Sequence, residues 1–270
     1  MRLRIMTYNI LVGGIGPRGV DRTERLLSVI EGERPDVLAL QECHGFFPDE
    51  RGAVAAYEKR LGLTGILGRC ESKLHVAVLA RPELDLRLEG HTGAPLRHGA
   101  LHVSIAVPGG RLSILTVHLN PFLEDARFDE LVHLAPHIPP GPALLLGDFN
   151  GLSPQDSYSA KELAEMLAQY RITPHYKSLG NPQPDRPQTR ALAHLLETGW
   201  VDLGHAFPGA ERPCTYPTPG APDPEGPPIR IDYVLARPAL VDSVRAYRTL
   251  RAPPADTASD HYPVVVDLEL

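Results

Sequence analysis

The chain has 270 residues, 43% of them apolar, and its 33 acidic and 27 basic residues leave a formal charge of −6. A chain of this length can bury a core that needs neither disulfides nor a structural metal, and its acidic balance argues against non-specific duplex binding through a basic face. Cys43, Cys70 and Cys214 share no close spacing, which fits a reducing compartment better than a disulfide framework or a zinc cluster. No run is apolar for long enough to cross a bilayer, so the expectation is a cytoplasmic monomer with one domain over residues 1–270.

Strand-like alternation opens the chain and stops at Asn9, before Gly13-Gly14-Ile15-Gly16-Pro17. Residues 21–30 have helical spacing through Leu26, Leu27 and Ile30 and predict a helix ending near Gly32. An apolar strand over 37–40 runs into Gln41-Glu42, and 50–61 reads as a short helix. Strand runs follow at 64–67, 75–80, 84–88, 101–107 and 112–119, separated mostly by Gly or Pro. Residues 125–137 read as a helix, and 143–146 as a buried strand ending in Gly147-Asp148-Phe149-Asn150. Helices are expected over 159–170 and 189–197. Eight prolines without periodicity lie between residues 207 and 228, a long loop that either borders a binding site or is a variable surface segment. Strands return at 229–235, 241–248 and 264–270. Many strands with interspersed helices fit two sheets packed face to face with helices outside.

Polar residues stand where these apolar runs end. Glu42 leaves a wholly apolar strand and is a natural ligand for a hard divalent cation; taken alone, a solvated strand-end carboxylate is the simpler reading. Residues two apart on a strand share a face, which would point Asp148 and Asn150 together and turn Phe149 to the core. A carboxylate beside an amide can hold a water and donate to an oxyanion, and an Asx turn closing the strand is the plain alternative. His118 reads as a rim residue and Asn9 as a turn residue. Asp232 is the anomaly, because a charge inside an apolar strand is costly unless paired, and His261 is the available partner. Asp260 and His261 lie just before Pro263, which is tolerated as a strand's first residue and biases Tyr262 to extended backbone.

Taken together, Tyr8-Asn9, Gln41-Glu42, Thr116-Val117-His118-Leu119, Gly147-Asp148-Phe149-Asn150, Arg230-Ile231-Asp232-Tyr233 and Ser259-Asp260-His261-Tyr262-Pro263 resemble the motifs of the endonuclease/exonuclease/phosphatase superfamily, in family order. The resemblance implies an α/β fold, a four-layer sandwich of two packed mixed β-sheets flanked by helices, with the site at one end of the sheets. It implies a Mg²⁺ or Mn²⁺ ion on Glu42, helped directly or through water by Asn9 and Asp260. Asp148 would orient or deprotonate the attacking water and Asn150 would position it. His261, held by Asp232, would contact the scissile phosphate, and His118 would stabilise the charged transition state. Either Asp148 or His261 could be the base.

Phosphoester hydrolysis demands upwards of ~20 kcal/mol from its catalyst, and a Lewis-acidic metal, an aligned water and donors for developing charge are the available means. The implied activity is a metal-dependent phosphoesterase, first of all a nuclease acting on DNA or RNA. The alternative is a phosphatase or phosphodiesterase for a phospholipid head group or small phosphate ester. A relative kept only for binding would need neither Asp148 nor His261. Gly199-Trp200-Val201-Asp202 and Cys214-Thr215-Tyr216 resemble elements of the nuclease branch, with Trp200 expected in the core. Pro228-Ile229 stands ahead of Arg230 where abasic-site enzymes carry a sugar-pocket aromatic.

Overall fold

The computed structural model describes residues 1–16, 19–93, 96–138, 140–170, 189–207, 209, 213–221 and 226–270, and its strands form two six-stranded sheets. One sheet runs β11 (Val244–Thr249), β12 (Val264–Glu269), β1 (Arg2–Asn9), β2 (Val37–Gln41), β4 (Val76–Ala80), β3 (Thr64–Gly68). The other runs β5 (Arg87–Thr92), β6 (Ala100–Val107), β7 (Gly110–His118), β8 (Ala143–Asp148), β10 (Asp232–Ala236), β9 (Val201–Asp202). Each sheet has one parallel pair, β1 with β2 and β7 with β8, and the other neighbours are antiparallel.

Period-two alternation on the central strands builds the layers. Leu3 and Ile5 of β1, Val37 and Ala39 of β2, Ile114 of β7, Leu144 and Leu146 of β8 and Val264 and Val266 of β12 meet between the sheets. The opposite faces carry the helices. Met6, Leu38, Leu40 and Val265 pack on α1 (Thr23–Glu33), α2 (Val54–Leu61) and a late turn of helix over Ala255–Ala258. Leu115, Val117, Leu145 and Leu235 pack on the helices Glu124–Leu134 and Arg190–Glu197, with Trp200 in the same cluster. The helix Ala160–Tyr170 sets Met166 against Leu152, Ile229 and Ile231. The result is the helix–sheet–sheet–helix sandwich that the sequence predicts. Cys43, Cys70 and Cys214 are buried and none is in a disulfide among the described residues, and among the same residues no helix is long and apolar enough to cross a membrane.

Several element limits move for identifiable reasons. The first helix runs past Gly32 and closes at Arg34, whose φ of 51° is left-handed. The strand expected at 84–88 begins only at Arg87, because Pro82–Leu84 forms a turn of 3₁₀ helix closed by Asp85 at φ 47°. Pro238–Val241 is a helical turn with proline in its first turn, so the strand expected from 241 starts at Val244. Ile229 makes only an isolated bridge to Tyr216, and β10 begins at Asp232. The proline-rich stretch lies partly outside the described residues.

Two consequences can be measured. Gly147 sits at φ +131°, and a Cβ there would lie 2.1 Å from the Val117 carbonyl oxygen on the paired strand. Gly147→Ala should therefore cost about 3 kcal/mol in urea denaturation, and a variant of unchanged midpoint would contradict this packing. Second, Asp267 of β12 accepts from Arg4 Nε at 2.7 Å and Arg248 Nη1 at 2.9 Å. Burial pushes its carboxyl up, but the two guanidiniums outweigh burial and hold it below the usual range. A depressed folded-state pKa gives stability above the unfolded value of about 4, lost as pH falls through the folded value. Asp267→Asn should be less stable than the parent at pH 7, and the difference should shrink as pH falls below the unfolded value of about 4.

Candidate active site

At one end of the sandwich the inward-facing rows change from apolar to polar. On β1 the row Leu3, Ile5 continues through Thr7 to Asn9, and on β2 Val37, Ala39 continues to Gln41. On β7 Leu112 and Ile114 lead to Thr116 and His118, and on β8 Leu144 and Leu146 lead to Asp148. β10 arrives from the other direction and presents Asp232 first. Register sets His118 opposite Asp148 and Asp148 opposite Asp232. The site is the polar end of the core itself.

Its floor is a cross-sheet bridge. Gln41 Nε2 donates to Thr7 Oγ1 at 3.1 Å in its own sheet and to Thr116 Oγ1 at 3.0 Å in the other. Above it, Asn9 Nδ2 donates to Asp148 Oδ2 at 3.0 Å and to Glu42 Oε1 at 3.3 Å, while its Oδ1 accepts from Leu11 N at 3.1 Å. Glu42 turns out of β2 at φ 60°, and its Oε2 accepts from Val12 N at 2.8 Å. Gly13 makes that approach possible, because a Cβ there would lie 2.1 Å from the His44 carbonyl oxygen.

The expected partnership of Asp232 and His261 is present, with Oδ2 2.8 Å from Nδ1. His261 Nε2 faces Asp148 Oδ2 at 3.9 Å, and His118 Nε2 faces the same oxygen at 3.5 Å. Asp260 lies beside this group, its Oδ1 accepting from Ser259 Oγ at 3.3 Å. Asn9, Glu42, His118, Asp148, Asp232, Asp260 and His261 are thus gathered in one cleft. Asn150 is there too, but not as the strand pattern suggests. β8 ends at Asp148, Asn150 takes φ 48°, and its N donates to Asp148 Oδ1 at 2.9 Å. The turn alternative is the one realised, and Asn150 Nδ2 donates to Leu119 O at 3.0 Å. Phe149 is buried against Tyr233, as the alternation requires.

Residues that the motifs contain, but to which no task was given, complete the site. Thr215 Oγ1 accepts from both Ile231 N and Asp232 N at 3.1 Å, fixing the start of β10. Ser259 Oγ donates to Asn9 O at 2.7 Å, tying the Asp260-His261 loop to β1. The Tyr216 ring lies 5.1 Å from that of His261. The motifs mark these positions, but a hydroxyl that serves a distant backbone group carries no sign of its partner, so their tasks are visible only in the fold. Arg230 was visible as motif, but its task was not. Buried beneath the site, it donates to Asp202 at 2.5 and 2.8 Å and to Asp156 at 2.8 and 3.1 Å.

The electrostatics follow from burial. Desolvation raises Asp148 to about 7, with Asp232 adding to the rise and His261 opposing it. Burial alone would lower His261, but the charge and hydrogen bond of Asp232, with Asp148 and Asp260 behind them, raise it well above the ordinary histidine range. Glu42 is raised by burial first and then by the like charge of Asp260.

Two groupings could hold a cation. Ligand atoms of Asp148, Asp232 and His261 lie within 4.8 Å of one another, but there the imidazolium already balances carboxylate charge. Glu42 and Asp260 raise one another's cost as like charges, with His261 opposing on Glu42 but hydrogen-bonded to neither. An all-oxygen pair of this kind fits a hard divalent ion.

Residues 6–261 match the sequence model of the Endonuclease/Exonuclease/phosphatase family. The chain belongs to this family. Its members are divalent-metal-dependent nucleases and phosphatases, and the chain is a phosphoric ester hydrolase of that kind. Solved structures share the fold over nearly the full length. An AP endonuclease from Archaeoglobus fulgidus is 20% identical over 99% of this chain and 100% of that chain, with a TM-score of 0.67. Truncated TDP2 from Caenorhabditis elegans is 15% identical over 100% and 98%, with a TM-score of 0.66. The 3′ phosphatase NExo from Neisseria, bound to a product DNA hairpin, is 19% identical over 99% and 100%, with a TM-score of 0.66. No curated protein matches the sequence.

Arg230 supplies the test of this architecture. Arg230→Met would leave Asp202 and Asp156 buried without that counter-charge, for an expected loss of about 3–5 kcal/mol. Adding Asp202→Asn and Asp156→Asn should recover part of it in thermal melts. A single variant as stable as the parent would contradict a structural role for this cluster.

Proposed function

We propose that the chain is a Mg²⁺- or Mn²⁺-dependent phosphodiesterase whose substrate is a nucleic acid. The observation that carries the reading is the convergence on Asp148 Oδ2 of Asn9, His118 and His261, with Glu42 one hydrogen bond away through Asn9. Glu42 and Asp260 would hold the ion, and Asn9, whose carbonyl oxygen is engaged by Leu11, orients Glu42 and contributes directly or through water. The ion, when bound, supplies Lewis-acid polarisation of a phosphoryl oxygen and neutralises charge.

The protein groups divide the remaining work. A carboxyl raised to about 7 is matched to proton transfer near neutrality. Asp148 takes a proton from the attacking water, whose oxygen bonds to phosphorus as the opposite ester P–O bond breaks and the leaving oxygen is protonated from solvent. His261, kept charged and oriented by Asp232, and His118 donate to the non-bridging oxygens as negative charge builds there. Asn150 holds Asp148 in place through its backbone N–H.

Nucleic acid is favoured as substrate by the AP endonuclease and the DNA-bound 3′ phosphatase among the similar structures. The charge of −6 favours the second reading, a small phosphate ester, since it offers little long-range steering for a polyanion. We infer further that residues 1–270 form one folding unit acting as a monomer in the cytoplasm, a compartment in which the buried Cys43, Cys70 and Cys214 would stay reduced.

Glu42→Ala and His261→Ala should each lower turnover of bis(p-nitrophenyl) phosphate by at least about 100-fold with the folded circular dichroism spectrum intact; unchanged turnover refutes the assignment. EDTA should stop the reaction and Mg²⁺ or Mn²⁺ restore it. Plasmid DNA, single-stranded DNA, RNA and head-group esters assayed side by side decide the substrate, and indifference to every polynucleotide would move the assignment to small esters.

A further inference from the structure

His98 has no place in the family motifs, yet it makes the closest aromatic contact in the site. It lies two residues before β6, and its ring stacks on that of His118 with centroids 4.3 Å apart and planes 17° apart. Ser72 Oγ, from the turn between β3 and β4, shares a 2.8 Å hydrogen bond with His98 Nδ1. The two backbone segments that carry the stacked rings are tied to one buried carboxylate. Glu130 accepts from Arg97 N at 2.9 Å and from Asn120 N at 2.8 Å. The His98 side is thus fixed through the ring edge and through the neighbouring peptide.

We propose that His98 is a positioning residue, a flat platform that sets the plane of the His118 ring so that its Nε2 edge meets the phosphoryl oxygens beside Asp148. The inference rests on the role given to His118 above. His261 is oriented through its edge by a carboxylate, and His118 carries a flat ring against its face. A face contact restrains the tilt of the ring and leaves the Nε2 edge directed at Asp148 Oδ2. Burial lowers His98 to about 4, with Arg97 adding to the effect, so the platform is uncharged at neutral pH. His98 is 3% exposed, and its Nε2 has no hydrogen-bond partner among the described residues. An unpaired buried nitrogen is unfavourable, so, while Nδ1 anchors the ring to Ser72, Nε2 is not what the position requires. The flat surface is.

The experiment compares His98→Ala, His98→Phe and Ser72→Ala, each alone and the first two also with His118→Ala, on bis(p-nitrophenyl) phosphate with Mg²⁺. His98→Ala should lower kcat about 10–100-fold with KM within about twofold, the size expected of a misplaced catalytic group. His98→Phe should return kcat to within about threefold of the parent, and Ser72→Ala should fall between. In the His118→Ala background, His98→Ala should lower kcat no further, because interacting residues are not additive.

A readout independent of turnover is the His118 ring signal in ¹³C-histidine NMR, which should shift in His98→Ala and move back in His98→Phe. If His98→Ala does not fold, His98→Phe and Ser72→Ala carry the comparison through the same signal and kcat. Unchanged kcat in His98→Ala, a Phe variant as impaired as Ala, a change confined to KM, or additive losses would each overturn the proposal. If His118→Ala is itself fully active, the reading of His118 falls. If it is inactive while His98→Ala is not, only the platform does.

Discussion

Asp148 is a carboxylate buried at the seam of two sheets, and holding it there is the constraint that shapes the molecule. A buried charge without partners is strongly unfavourable. Here the partners come from everywhere: Asn9 from the opposite sheet, the Asn150 amide from the following turn, His118 from the parallel neighbour and His261 from the far end of the chain. Such convergence requires the two sheets to be locked in register to within a hydrogen-bond length. The Gln41 bridge to Thr116 does this directly beneath the site. Gly147 allows the β8 backbone to close on Val117 and so brings Asp148 level with His118.

How much of this the sequence discloses depends on the range of the interaction. Period-two alternation fixes which residues of each central strand face inward, and Asp148, Asp232 and His118 fall on the rows that line the core. The pairing of Asp232 with His261 is legible because a charge in an apolar strand demands a partner. Asn150 shows the limit of that reasoning. Strand geometry and an Asx turn were both open at Gly147-Asp148-Phe149-Asn150, and the left-handed backbone that selects the turn depends on Leu119, 31 residues away. Thr215 and Ser259 stood in recognisable motifs but their partners were illegible, and His98 stood in none, because a hydroxyl or ring that serves a distant segment looks like any other. Element limits drifted at Pro82 and Pro238, where a proline that can end one element can equally start a helical turn.

Net charge proves a poor guide to this surface for a related reason. Many carboxylates never face solvent as free charges: Asp202 and Asp156 are committed to Arg230, Asp232 to His261, and Glu130 to two backbone amides. At the site itself the like charge of Asp260 adds to burial in raising Glu42, while His261 opposes it. The electrostatic character of the cleft is therefore local, and a bound cation would reverse it.

The position of β12 has a consequence for biosynthesis. This strand enters the sheet between β11 and β1, and the loop before it delivers Asp260 and His261, while Asp232 starts the strand β10 that flanks β8. A chain made only as far as β8 would contain Asn9, Glu42, His118 and Asp148 but neither Asp232 nor His261, so the cluster around Asp148 closes only when β10 and the loop before β12 have followed.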